Sequence, residues 1–130
     1  MLFLTVFFGA GVGGACRHGV NLLAARLLGP GAFPVGTMCI NILGSFLMGL
    51  IIEFFAQRSG LTQHWRFFAT TGILGGFTTF SAFSLDTALL YERGETLGAL
   101  AYVLASVILS IGALFVGLAL FRSAYPGVPT

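Results

Sequence analysis

Long uncharged runs, broken by short polar clusters, organise this chain. No Asp, Glu, Lys or Arg occurs from Leu27 to Ile52, a run of 26 residues. The same holds from Phe67 to Leu85, 19 residues, and from Thr96 to Phe121, again 26. A hydrocarbon core of about 30 Å needs about 20 helical residues, so each run is long enough to cross it. The N-terminal stretch Leu2–Leu28 reads as equally apolar, although Arg17 and Arg26 lie within it. The runs mix branched, aromatic and small residues without strand-like alternation, which favours helices over a barrel. Four spans are expected, at about residues 2–28, 33–56, 64–90 and 96–121. The third is expected to be broken. Short polar links join them, with Gly and Pro between Gly29 and Pro34, Arg58 to Gly60 after the second span, and Glu92 to Glu95 before the fourth.

Composition agrees. The chain has 130 residues, 57% of them hydrophobic and only 8% charged. A soluble domain of that size could not hide so much apolar surface. A soluble enzyme, a nucleic-acid binder and a disordered tail are excluded. An all-α, multi-pass integral membrane protein in contact with lipid remains, as a single transmembrane domain. Gly13-Gly14-Ala15-Cys16 lacks the basic flank of a cleaved leader, so the first stretch reads as a span. Cys16 and Cys39 fall inside spans and read as buried apolar fillers rather than a disulfide.

The six basic residues are all Arg. Arg58, Arg66 and Arg122 fall on one side of the expected membrane and Arg26 and Arg93 on the other. That is almost no positive-inside bias. A chain without bias can insert both ways, and two opposed copies make an inverted pair about an axis in the membrane plane. Four helices fill their own centre with side chains. An antiparallel homodimer is therefore expected.

Polar residues within spans recur every four positions, which puts each set on one helical stripe. The stripes are Gly9, Gly13, Arg17 and Asn21; Thr37, Asn41 and Ser45; and Tyr102, Ser106 and Ser110. Gly9 and Gly13 read as helix contacts. Asn41 reads as functional, because its amide carries two donors a helix cannot satisfy. Tyr102, Ser106 and Ser110 read equally as helix contacts or as a polar lining, since a helical Ser can bond its own i−4 carbonyl. Arg17, about 22 Å along its helix, either snorkels or draws anions into a vestibule.

The third span is the most informative. Gly75-Gly76 followed by Thr78 and Thr79 is a poor helix interior, about 15 Å from Trp65 and so near the midplane. A break in this stretch would free backbone carbonyls and amides at mid-depth, where such groups commonly form ion sites. In an antiparallel pair two breaks would meet on the axis and could hold one cation. Phe80 and Phe83 share a face. They either pack as apolar residues or, flanked by Thr79, Ser81 and Ser84, line a polar passage where positively polarised ring edges meet an anion. No carboxylate sits at mid-span, since Glu53, Asp86, Glu92 and Glu95 fall near span ends. His18 and His64 have no ligand-spaced partners, and nothing suggests an enzyme.

The chain resembles the Fluc (CrcB) fluoride channels of prokaryotes over nearly its whole length. The resemblance rests on the Gly-rich first span ending in Arg17, on Gly36-Thr37 with Asn41 and Gly44, and on Trp65 ahead of Thr70-Thr71-Gly72. Its sharpest part is Gly75-Gly76-Phe77-Thr78-Thr79-Phe80-Ser81-Ala82-Phe83-Ser84. The resemblance implies a dual-topology homodimer in the prokaryotic inner membrane, with two pathways that release cytoplasmic fluoride passively. It implies Phe80 and Phe83 as anion-facing rings, Asn41 as a pore amide, and Thr37, Tyr102, Ser106 and Ser110 as a polar track. It further implies a structural sodium ion on carbonyls of Gly75 and Thr78 from both subunits. His18 departs from the aromatic usual after the Arg. A proton-coupled drug exporter of four spans is the nearest rival, but it would need a carboxylate embedded in the first span, which is absent. A non-transporting assembly or scaffold subunit is the other.

Overall fold

The computed structural model describes residues 1–29, 31, 33–58 and 60–126, and these are all helical or connecting. Helix α1 is Leu2–Leu28 and α2 is Val35–Ala56. The third span is composite. It runs through α3 (Gln63–Phe67), a π-helical stretch Phe68–Leu74, the single turn α4 (Gly75–Phe77) and α5 (Phe80–Glu92). Helix α6 is Thr96–Ala124. The α5–α6 hairpin closes on Gly94, at φ 80°. There Gly94 N–H donates to Tyr91 O and Glu95 N–H to Leu90 O, each 2.9 Å. That pair of bonds satisfies the last carbonyls of α5, and the positive φ suits Gly.

Val35–Ala56, Gln63–Glu92 and Thr96–Ala124 are long and apolar enough to cross a membrane. Helix α1 is 27 residues long but is not among them. It is therefore less apolar than its lack of acidic residues suggests. Five glycines add length without apolar surface, and Arg17, His18, Asn21 and Arg26 fall in its second half.

Large apolar side chains point outward. Phe3 is 91% and Leu97 82% exposed, whereas among the described residues the buried hydrophobic side chains are Ile40, Leu74, Phe77, Phe83, Leu90, Ala99 and Tyr102. Lipid tails solvate such side chains as well as a protein interior does, so helix association falls to close packing of small residues. Gly49 of α2 and Gly117 of α6 meet face to face. A Cβ on either would overlap a backbone carbonyl oxygen, that of Leu114 or Phe46. Gly13 of α1 likewise leaves room for the Ile73 carbonyl, and Gly9 for Phe68 and Gly72, as expected of helix contacts. Cys16 and Cys39 are free but exposed, not buried fillers. They lie on outward faces of α1 and α2, a choice between faces that span membership alone does not make.

Where α2 and α6 end together, Glu53 is 6% exposed. It accepts from Arg122 Nε at 2.9 Å and from Gln57 Nε2 at 3.3 Å. A buried carboxylate needs such partners to stay charged.

The expected break is present and falls at the Thr78-Thr79 end of the stretch, not at its glycines. Gly75 has helical angles (φ −64°, ψ −36°), and the chain leaves the helix at Thr78 and Thr79 instead. Gly76 is small for another reason, since a Cβ there would lie 2.5 Å from Ala10 O of α1.

Replacing Gly49 or Gly117 by Ala is expected to destabilise the purified protein by about 1–3 kcal/mol, the usual cost of overpacking. Gly112→Ala on the same α6 meets nothing within 4 Å in the subunit and should leave stability level or slightly raised. Melting temperatures in detergent check both.

Candidate functional site

The site grows from two residues that leave the helical region of backbone space. Thr78 has φ −75°, ψ 156° and Thr79 φ −153°, ψ 118°. Each end of the gap is repaired separately. On the N-terminal side, Thr78 N–H and Thr78 Oγ1 both donate to Leu74 O at 2.9 Å. On the C-terminal side, Thr79 is the N-cap of α5, and its Oγ1 accepts from Ala82 N–H at 3.1 Å, the bond that favours Thr at a cap. Ser81 Oγ lies 3.1 Å from the same oxygen.

Asn41, from α2, completes the repair. Its Oδ1 accepts Thr79 N–H at 2.8 Å and its Nδ2 donates to Thr79 O at 3.0 Å. One side chain thus serves both backbone groups of the extended residue. Gly44, one turn along α2, gives the Thr78 methyl its space.

This repair has an electrostatic consequence. In an unbroken helix Thr79 N–H would bond Gly75 O, and Ala82 N–H would bond Thr78 O. Those two donors go to Asn41 Oδ1 and Thr79 Oγ1 instead. The carbonyl oxygens of Gly75 and Thr78 therefore lose the partners a helix would supply. Gly75 is exposed and Thr78 half-buried.

Beside the break lies a groove of about 390 Å³ between α2, the break and α6. Asn41, Thr79, Phe80, Phe83, Ser106 and Ser110 all line it, six residues drawn from three separate segments of the sequence. Ser106 and Ser110 are notable for what they do not bond. Thr5, Thr70, Thr78, Ser84 and Thr87 each donate to the carbonyl four residues back. Ser106 Oγ and Ser110 Oγ are buried and have no partner among the described residues. The back-bonding alternative for these two serines is thus not realised.

Phe80, Phe83 and Tyr102 form a run of rings, with centroids 5.4 Å apart at each step. Phe83 and Tyr102 are buried, while Phe80 is 77% exposed at the edge of the groove. Tyr102 is fully buried and its hydroxyl donates to Asp86 Oδ2 at 3.2 Å. Asp86 lines a second cavity, about 360 Å³, with Thr37 and Asn21. Tyr102 therefore connects the two spaces, its ring against Phe83 on one side and its hydroxyl on Asp86 on the other.

The remaining expected residues fall elsewhere. Thr37 lines the second cavity and not the groove. Ser81 is exposed beside the cap. Arg17 is half-buried on α1 and lines neither space. Asp86 was not expected in the site. Its signal was its place one turn beyond Phe83 on the same face of α5.

Residues 4–118 match the family model described as CrcB-like protein, Camphor Resistance (CrcB). This chain belongs to the CrcB family. A relative from Granulibacter bethesdensis, named fluoride-specific ion channel FluC, is 61% identical over 127 residues, covering 98% of this chain and 99% of that one. A relative of the same name from Methylobacterium nodulans is 60% identical over 119 residues, covering 92% and 94%. A third, from Paracoccus denitrificans, is 53% identical over 123 residues, covering 95% and 96%. The CrcB assignment and the three long apolar helices make this a multi-pass membrane protein.

Because the hydroxyls of Ser106 and Ser110 are buried without partners, Ser106→Ala and Ser110→Ala should not lower the melting temperature. Thr79→Val, which removes a cap, should cost about 1 kcal/mol. Thermal melts in detergent separate the two classes.

Proposed function

We propose that this protein is a fluoride-selective channel that lets cytoplasmic fluoride leave the cell passively, working as an antiparallel homodimer in a prokaryotic inner membrane. The relatives' shared name supports the ion. The observation that carries the reading is the lining of the groove. It offers the uncommitted hydroxyls of Ser106 and Ser110, a second Asn41 N–H and the rings of Phe80 and Phe83, with no charged side chain.

That lining suits a small, strongly hydrated anion. Stripping water from fluoride is costly, and hydroxyl and amide donors replace part of what is lost. Ring edges carry partial positive charge and cover the rest. A full positive charge in the groove would trap the ion, whereas conduction needs binding weak enough to release it. Tyr102 and Thr37 extend the polar surface from the groove towards the second cavity. Arg17 lies outside both and acts on this reading as a distant attractor of anions. Protonated HF enters an acidified cell and dissociates, so a passive exit for the anion protects the cell.

Two further features support the dimer. The groove is open along one side, and Phe80 stands exposed beside it, as a wall finished by a second copy would leave them. The two-sided scatter of Arg permits either orientation. The carbonyls of Gly75 and Thr78 fit a structural sodium ion shared between subunits at the axis, because they are hard oxygen donors relieved of their helical hydrogen bonds. When bound, sodium would add a fixed positive charge that ties the two breaks together. The drug-exporter reading lacks its main requirement, since no carboxylate lines the groove and buried Glu53 is held by Arg122 at a helix end.

Liposomes holding the purified protein should release fluoride but not chloride down a gradient; equal rates for the two ions would overturn the selectivity. Phe80→Ile and Ser110→Ala should each slow fluoride release about tenfold or more, a barrier increase of about 1.4 kcal/mol. Wild-type rates would remove those residues from the path. Lys added to one loop should fix the orientation and silence the protein until an oppositely fixed copy is co-expressed. Activity from one uniformly oriented population would refute the antiparallel pair.

A further inference from the structure

We propose that Asn41 is also a positioning residue for the cation site: by taking Thr79 N–H on its Oδ1, it keeps the Gly75 carbonyl oxygen free to face a sodium ion. This rests on the sodium site put forward above and gives that site a control element on a different helix.

Two acceptors compete for one backbone donor. Gly75 is helical, so its carbonyl points along the axis towards the N–H four residues on. That N–H belongs to Thr79, and it lies 2.8 Å from Asn41 Oδ1. A buried N–H cannot go unpaired at membrane depth. Asn41 and Gly75 O therefore compete for one proton donor, and only one can have it. With Asn41 present the donor is taken, and Gly75 O is left to a ligand. With an apolar side chain at this position, the acceptor that helical pairing offers Thr79 N–H is Gly75 O. The helix would then tend to close over the gap and withdraw an oxygen from the cation.

The two halves of the Asn41 amide divide the work. Oδ1 holds Thr79 N–H. Nδ2 spends one hydrogen on Thr79 O and has a second to offer, and Asn41 lines the groove. The acceptor half governs the cation site and the donor half faces the anion path, so the two can be separated by substitution. Asn41→Leu removes both. Asn41→Asp keeps an acceptor for Thr79 N–H, removes the donor and adds a negative charge to an anion path.

The test measures thermal unfolding of the purified dimer in detergent as sodium chloride replaces choline chloride, with fluoride release from liposomes recorded alongside. Wild type should gain stability with sodium, as binding to the folded state alone requires. Asn41→Leu should shift the sodium midpoint about 10–100-fold upward, the usual consequence of losing a group that orients a metal ligand. Asn41→Asp should keep the wild-type sodium response while losing fluoride release. A residue with a merely structural role would lower the melting temperature without moving the sodium midpoint. If Asn41→Leu yields no dimer, Asn41→Ser, too short to reach Thr79 N–H, is judged by the same shift. A wild-type midpoint in Asn41→Leu or Asn41→Ser overturns the proposal, as does loss of the sodium response in Asn41→Asp. No sodium response in wild type overturns the sodium site and this inference with it. A sodium response without fluoride release overturns the channel reading and leaves the role of Asn41 standing.

Discussion

A backbone interrupted inside a bilayer must have its polar groups bonded, because no water is available and each orphan costs several kcal/mol. In this protein the amide of Asn41 meets that demand at Thr79, with one bond to the N–H and one to the carbonyl. The rest of the site depends on it. The extended pair Thr78–Thr79 can persist, α5 can begin afresh at Phe80, and the face carrying Phe80 and Phe83 is turned onto the groove. The cap at Thr79 and the doubled bond onto Leu74 O finish the ends. The gap is thus built from three side chains on two elements and is a fixed feature of the fold.

Packing supplies the frame that holds Asn41 at its distance. Helices α2 and α6 meet through Gly49 and Gly117, and α1 meets the third span through Gly9, Gly13 and Gly76. In lipid these contacts replace the hydrophobic core of a soluble domain, which explains a bundle whose large apolar residues mostly face outward. Close approach of α2 and α6 also brings Asn41 and the serine stripe of α6 to one groove. Near its other end the same pair of helices is clamped by Glu53 and Arg122, one of two close ion pairs among the described residues.

The polar groups are graded by how fully they are used. The hydroxyls of Thr5, Thr70, Thr78, Ser84, Thr87 and Ser123 bond their own backbone and are silent. Ser106 and Ser110 do not, and both face the groove. Burying a hydroxyl without a partner costs about 1–3 kcal/mol. The chain bears that cost twice on one stripe of one helix, which sets these two residues apart from ordinary helix contacts.

The sequence by itself determined the helical class, the four polar-bounded segments, the stripes and the motif from Gly75 to Ser84, because period and residue type are local properties. It brought Asn41, Phe80, Phe83, Ser106 and Ser110 into view as residues of one kind. It placed the break within Gly75–Thr79 but did not single out Thr78 and Thr79 as the residues that leave the helix, since Gly75-Gly76 is weak helix by propensity, yet Gly76 is required by contact with Ala10. It made α1 as apolar as the other three segments, which its glycines and arginines do not allow, and misjudged which way Cys16 and Cys39 face. Only the tertiary structure decided that Asn41 is bonded to Thr79, 38 residues away. It also decided that Tyr102 is bonded to Asp86 and that two serines lack partners. Each of these depends on which helix faces which, and no spacing within a single helix carries that information.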